Sequence, residues 1–248
     1  MQPSGNTILI TGGGSGIGAA LAHRLHDAGN TVLIAGRRQE ALQKTAAGRA
    51  GLVPVHLDVD DVQNLDAFAA NLIKEHPALN ILINNAGIMK RENLGVKRDL
   101  TDAHDTIMTN LMGPIRVTNA FIEHLSSQKN AVIMNVTSGL AFVPMRASAT
   151  YSATKAALHS YTLSLREALK GKVEVIEIAP PGVQTSLTPG QETRDGYMPL
   201  EAFADEVMSL LSRTPTPPEI LVERVHFLRF AEKEGRMHEA LTMLSAIE

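Results

Sequence analysis

The sequence predicts a doubly wound parallel sheet with helices on both faces, a three-layer α/β/α sandwich. Two observations carry this expectation. Short β-branched apolar runs recur along the chain, and between them lie longer segments with apolar residues three and four apart. The apolar runs are also nearly continuous, without the alternation of a half-exposed strand, as expected where helices cover both faces of a parallel sheet.

The first strand, Thr7 to Thr11, runs through ILIT into the glycine run GGGSGIG, after which AALAHRLHDAG begins a helix over Gly16 to Ala28. The second strand, Thr31 to Ala35, ends at AGRR and leads to a helix over Arg38 to Arg49. Further strands are expected at Leu52 to Leu57, Ile81 to Asn84, Ala131 to Val136 and Val173 to Ile178. The intervening helices are expected at Val62 to Glu75, Leu100 to Leu125 and Ala149 to Lys170. In the last of these Leu158, Tyr161 and Leu165 follow one core-facing side.

No Pro/Ser-rich linker or internal repeat divides this alternation, so residues 1–248 read as a single dinucleotide-binding domain. After Ile178, PPGVQTSLTPGQETRDGYMPL is rich in turn formers, and such a long loop in a compact domain is usually functional; residues 186–200 are the expected substrate loop. SRTPTPPE then separates an amphipathic stretch, Leu200 to Leu211, from a final helical segment, Ile220 to Ile247, within a C-terminal helical extension over about 219–248.

Composition removes several classes of function. With 23 basic and 26 acidic residues the formal net charge is -3, which offers no electrostatic reason to expect nucleic acid or an anionic membrane. The absence of cysteine excludes disulfides, thiolate metal sites and a cysteine nucleophile, and fits the cytoplasm. The nine histidines form no HExxH and no metal-spaced carboxylate cluster, so no catalytic metal is expected. No basic start precedes an apolar stretch and no membrane-length apolar run occurs, so a soluble, unexported protein is expected.

Gly12, Gly16 and Gly18 sit where a strand must turn sharply into a helix. A missing β-carbon there lets the backbone approach a pyrophosphate, and the helix N-terminus presents unpaired N–H groups to the anion. A glycine turn without a ligand is the bland alternative, made weaker by placement at the first strand-to-helix junction. No Gly-Lys-Ser/Thr follows, which excludes a nucleoside triphosphate loop. Where a Rossmann-type NAD site usually carries an acidic residue, at the end of the second strand, this chain has Gly36, Arg37 and Arg38. No carboxylate repels a 2′-phosphate there, and two guanidinium groups can hold one, which favours NADP(H) over NAD(H). The arginines could also be a solvated turn.

Tyr151 and Lys155 are four apart on one helical face, and Ser138 lies just past the end of the strand VIMNV, at the sheet edge where ligands bind in open α/β folds. With TGGGSGIG at 11–18, LDV at 57–59, NNAG at 84–87, Asn110 and a proline-rich turn at 180–185, the chain resembles a classical short-chain dehydrogenase/reductase. Over residues 180–248 it is similar to the bacterial DltE-like branch, a name that fixes no substrate.

That resemblance implies a catalytic tetrad of Asn110, Ser138, Tyr151 and Lys155, with Tyr151 as general acid in reduction, Ser138 donating to the substrate oxygen and Lys155 also binding the nicotinamide ribose. It implies cofactor contacts from Ser15 and Ile17 in the glycine loop, Asp58 and Val59 at the adenine, Asn85, Ala86 and Gly87 at the ribose, and Pro180, Val183 and Thr185 at the nicotinamide end. The chemistry agrees, because tyrosine titrates near about pH 10 and needs nearby positive charge to exchange a proton at neutral pH. Asn110 would hold a water on a path from Lys155 to solvent; a helix kink before Gly113 and Pro114 is its structural alternative. One departure is Pro181, which stands where the family has glycine and should stiffen the turn.

Leu140, Phe142, Met145, Leu187 and Met198 are the candidate substrate-pocket residues, pointing to a small apolar ketone, aldehyde or secondary alcohol. They could equally pack the loop. The C-terminal segment lacks the glycine-rich strand with which many family members tetramerise, so a homodimer through the helices at 100–125 and 149–170 is expected. The leading reading is an NADP(H)-dependent carbonyl reductase or alcohol dehydrogenase. The alternative, a dinucleotide-binding regulatory protein of the same fold, would typically have lost the tyrosine or lysine. A nucleotide-sugar epimerase would need more chain after Ile178.

Overall fold

A computed structural model describes residues 1–246. Seven parallel strands form one sheet in the order β3-β2-β1-β4-β5-β6-β7. They are β1 (Thr7–Thr11), β2 (Thr31–Gly36), β3 (Leu52–His56), β4 (Leu79–Asn84), β5 (Val132–Val136), β6 (Glu174–Ile178) and β7 (Glu219–Ile220). The first three strands build outward in one direction and the rest in the other. The crevice for a ligand therefore opens at the carboxyl ends of β1 and β4, where the order reverses.

The strands' side chains divide the core in two. Ile8, Ile10, Val32 and Ile34 pack beneath α1 (Gly16–Asp27) and α7 (Leu200–Leu211), through Leu21, Leu25, Phe203 and Val207. Leu9, Leu33, Leu82 and Ile133 face α3 (Leu65–Glu75) and α5 (Gly113–Ser127), through Ala69, Leu72, Val117 and Phe121. Alternate residues of one strand thus feed opposite layers, which explains the unbroken apolar runs. Helix α2 (Gln39–Ala46) follows β2, α4 (Thr101–Ile107) precedes α5, and α6 (Ala149–Ala168) carries the Tyr-x-x-x-Lys pair. No helix among the described residues is long and apolar enough to cross a membrane.

Two expected elements differ. The helix expected over Leu100 to Leu125 is α4, a π-helical turn over Met108–Met112, and α5. Pro114 has no N–H to donate and its ring crowds the carbonyl four residues back, on Asn110, so the turn widens there. The tail expected as a helix from Ile220 begins instead with β7, followed by α8 (His226–Arg229) and α9 (Met237–Ala246); Ile247 lies outside the described residues. Ile220 and Val222 are buried against the sheet side of the core. The edge of β6 takes up this segment: Glu177 N donates to Pro218 O at 2.9 Å and Ala179 N to Ile220 O at 3.2 Å. Gly235, at φ +68°, turns the chain between α8 and α9.

Candidate active site

At the carboxyl edge of the sheet lies a cavity of about 590 Å³. One end is the glycine loop. Ser15 is the N-cap of α1, yet its hydroxyl makes no capping bond and instead accepts from Arg38 Nη2 at 3.0 Å. No acidic residue stands in the first turn, so the first N–H groups of α1 and its positive dipole end face the cavity uncompensated. Thr11 Oγ1 accepts from the backbone N of Asn85 and Ala86 at 3.0 and 3.1 Å, and Asn85 Nδ2 donates to Thr11 O and Gly12 O. Those bonds lock the NNAG turn against the glycine loop.

The glycines serve different ends. Gly12 and Gly16 adopt φ +68° and +52°, which L side chains resist. Gly18 is a close-packing glycine, since a Cβ there would stand 2.4 Å from Gly12 O. Gly13, not singled out from sequence, packs equally tightly, with an added Cβ 2.7 Å from Ile34.

Gly12, Ser15, Gly16 and Ile17 line the cavity together with Arg37, Arg38, Asp58, Val59, Asn85, Ala86 and Gly87. Gly18 lies behind the loop. A nicotinamide dinucleotide fits this lining: bare backbone and helix N-terminus for the pyrophosphate, two guanidinium groups at the end of β2, and a carboxylate on Asp58 for the adenine end. Asp60 was missed from sequence; its Oδ2 accepts from Thr109 Oγ1 at 2.7 Å and anchors the π-helical turn. Nothing in the segment DVDD distinguishes it.

Ser138, Tyr151 and Lys155 line the same cavity at the opposite end. Burial pushes the Tyr151 phenol up to about 12, against the hydrogen bond from Ser138, which lowers it. Burial also pulls the Lys155 ammonium down to about 8. Lys155 Nζ donates to Val136 O at 2.9 Å and lies 5.6 Å from the centroid of the Tyr151 ring. Asn110 is fully buried in the π-helical turn and does not reach the cavity wall. Its Oδ1 accepts from Ile88 N and its Nδ2 donates to Ile88 O, both at 2.8 Å, bracing the loop after NNAG. Gly87 leaves room for this group: a Cβ there would meet Asn110 Oδ1 at 3.3 Å and Lys155 Nζ at 3.7 Å.

A buried carboxylate holds Ser138 and α6 in register. Glu177, on β6 and fully buried, accepts from Thr137 Oγ1 at 2.6 Å and has His159 Nδ1 at 2.7 Å from its other oxygen. Thr137 adjoins Ser138, and His159 is one turn beyond Lys155. The sequence marked Glu177 only by an acidic residue within an apolar strand.

Pro180, Val183, Thr185 and Leu187 line the cavity. Pro180 O accepts from Gly139 N at 2.8 Å, joining the proline turn to the serine loop, and Pro181 is also in the wall. Gln191, unmarked in the sequence, is buried and donates to Val183 O and Thr185 Oγ1 at 2.8 and 3.1 Å. The other four candidate pocket residues lie elsewhere. Met198 is in the main core, Met145 packs with Leu228 and Leu244, Leu140 flanks that cluster, and Phe142 stacks on His159 and the Arg229 guanidinium. The C-terminal segment needs apolar partners, and the loop after Ser138 supplies them, so these side chains turn away from the cavity.

A sequence model described as short chain dehydrogenase matches residues 6–195. The uncharacterized oxidoreductase DltE of Bacillus subtilis is 39% identical over 238 residues, 94% of each chain. A sulfoacetaldehyde reductase of Chromohalobacter salexigens is 36% identical over 186 residues, 73% of this chain and 74% of the relative. Among solved structures, a short chain dehydrogenase from Burkholderia cenocepacia in complex with NADP superposes with a TM-score of 0.83 at 26% identity, over 97% of this chain and 99% of the other. One from Burkholderia phymatum in complex with NAD also gives 0.83, at 22% identity, over 96% of each chain. With a glycine loop, a serine-tyrosine-lysine constellation and a family match over most of its length, this chain belongs to the short-chain dehydrogenase/reductase family of oxidoreductases.

Proposed function

We propose that the protein is an NADP(H)-dependent reductase or dehydrogenase acting on a carbonyl or secondary alcohol, with Tyr151 as general acid and base. The observation that carries this is the convergence of Ser138, Tyr151 and Lys155 on the same cavity as the open glycine loop. When bound, the nicotinamide supplies or accepts the hydride. The chain's part is to hold the carbonyl oxygen between the Ser138 hydroxyl and the Tyr151 phenol and to move one proton at the phenol oxygen. In reduction the proton passes from Tyr151 to the forming alkoxide, and in oxidation the phenolate takes it back. Burial favours the protonated phenol and the Ser138 hydrogen bond opposes it; Lys155 Nζ, 5.6 Å from the centroid of the Tyr151 ring, is the nearby positive charge that this mechanism calls on. The relative named as a sulfoacetaldehyde reductase supports carbonyl reduction as the chemistry.

The preference for NADP(H) rests on Arg37 and Arg38, exposed at the cavity wall, and on Gly36, which offers no carboxylate to the ribose. Charge-assisted hydrogen bonds contribute about 1.5–3 kcal/mol each. Arg37→Ala combined with Arg38→Ala should therefore cut kcat/KM for NADPH by about a hundredfold or more while changing that for NADH far less. Steady-state assays with both cofactors check this, and a wild-type preference for NADH would refute it.

The same reading includes a homodimer through α4, α5 and α6. Ile107 and Leu163 are 42% and 41% exposed on α4 and α6, and the Arg116 Nη1 on α5 is buried without a hydrogen-bond partner among the described residues. Sedimentation should show a dimer that Leu163→Glu shifts toward monomer; a stable tetramer would count against this interface.

A further inference from the structure

The helix that carries Tyr151 begins with a cap that its own sequence does not supply. Ser148 occupies the N-cap position of α6 and is a residue type suited to it, yet its hydroxyl is buried with no hydrogen-bond partner among the described residues. Its backbone, at φ -147° and ψ 52°, lies outside the extended geometry from which an N-cap serine reaches the N–H two or three residues on. No acidic residue stands in the first turn of α6 either. Glu92, far away in sequence, takes this place. Its side chain is 5% exposed; Oε1 accepts from Thr150 N, and Oε2 accepts from Thr150 Oγ1 at 2.9 Å. Thr150 is the second residue of α6 and directly precedes Tyr151.

A carboxylate there satisfies an orphan N–H and meets the positive end of the helix dipole. Arg98 Nη2 donates to the same Oε2, so the buried charge is paired. Glu92 N donates to Ala147 O at 2.8 Å, a second bond across the seam. Glu92 belongs to the segment 85–100 between β4 and α4, which forms neither helix nor strand. Shortly before it, Ile88, Met89 and Lys90 line the cavity together with Tyr151. Asn110 ties down Ile88, and Met89 packs on the cluster that contains Val143, Met145 and Leu228. Beyond Glu92 the packing ends, with Leu94 and Val96 each 60% exposed. A long irregular segment has many conformations to lose, and at Glu92 this one is bonded to the tyrosine helix.

We propose that Glu92 is a positioning residue: as the surrogate N-cap of α6 it holds Tyr151 in place against the cavity wall formed by residues 88–90. The cap is a matter of the fold alone, while its consequence for turnover rests on the hydride-transfer reading.

The test compares Glu92→Ala, Glu92→Gln and Ser148→Ala with wild type. Amide hydrogen exchange in the first turn of α6, residues 149–154, should quicken by about twofold to thirtyfold in Glu92→Ala, the worth of a helix cap. Glu92→Gln keeps an oxygen for Thr150 and should restore part of the protection; Ser148→Ala should match wild type. With NADPH and butanal, cyclohexanone or acetophenone, Glu92→Ala should lower kcat by about tenfold to a hundredfold, the scale on which displacements of about an ångström act, with NADPH affinity little changed. A cap that only stabilised the fold would leave the kcat of the folded enzyme untouched. Wild-type exchange or wild-type kcat in Glu92→Ala, or faster exchange in Ser148→Ala, overturns the proposal. Should Glu92→Ala not fold, Glu92→Gln decides: partial loss of protection and of kcat with NADPH affinity retained supports the proposal, and wild-type values in both overturn it. Exchange that behaves as expected, in a wild type that turns over none of the three carbonyls, supports the cap and counts against the hydride-transfer reading alone.

Discussion

Tyr151→Phe should lower kcat by about a hundredfold to ten-thousandfold, the range that positioned general acids contribute, equivalent to about 3–5 kcal/mol of transition-state stabilisation. In the proposed mechanism the phenol meets the substrate oxygen, and removing one oxygen atom leaves the ring, the Lys155 contact to Val136 O and the glycine loop in place. NADPH affinity, read by quenching or enhancement of cofactor fluorescence, should change little. Unaltered kcat in this variant would refute the mechanism even if the family assignment stands.

The pH profile of the wild type belongs to the same prediction. Burial holds Tyr151 protonated, up to about 12, so carbonyl reduction has its acid throughout the neutral range, whereas alcohol oxidation needs the scarce phenolate and should rise with pH. Lys155 adds a stability signature. Its folded pKa of about 8 lies below its ordinary 10.5, so the buried ammonium penalises the fold below about pH 8. That penalty fades as pH rises through about 8 toward 10.5, because there the unfolded chain binds more protons than the folded one. Lys155→Met should remove this rise in stability, as followed by urea unfolding at pH 7 and pH 9.

Gly18→Ala should be nearly as damaging, by a different route. Its Cβ would lie 2.4 Å from Gly12 O and 2.5 Å from Asn85 Nδ2, and the first of these is backbone that cannot rotate away. Relief requires moving the glycine loop off the NNAG turn. Overpacking of this kind costs about 1–3 kcal/mol. For a domain of this size that lowers Tm by about 2–12 °C. With the loop as the proposed pyrophosphate cradle, NADPH affinity should fall by about tenfold or more, the cost of one charge-assisted hydrogen bond lost from the helix N-terminus. Calorimetry and cofactor titration read the two effects separately; wild-type values in both would show that the loop tolerates a β-carbon.

The parallel sheet and the cofactor end of the site were legible in the chain because they depend on local rules. Buried strands repeat β-branched residues, a strand-to-helix turn at a pyrophosphate needs glycine, and Tyr151 and Lys155 share a helix face at spacing four. The amphipathic stretch Leu200 to Leu211 likewise became α7 with those bounds. Elsewhere the chain departs from its sequence pattern, once through a nearby proline and otherwise through contacts distant in sequence. The helix through Asn110 opened into a π-helical turn under the influence of Pro114, and Asp60 holds that turn from across the site through Thr109. The tail read as a helix from Ile220 contributes β7 because the edge of β6 offers it unpaired backbone groups.

The amino-acid order alone thus determined that the glycine loop, the arginines after β2 and the Tyr151 and Lys155 pair gather at one cavity, since glycine conformation, helical spacing and arginine charge are properties of short segments. The wall of the substrate end was decided by the tertiary structure. Met145 packs with the C-terminal segment, Phe142 stacks against His159 and Arg229, and Met198 entered the core, because apolar side chains follow whatever surface most fully covers them.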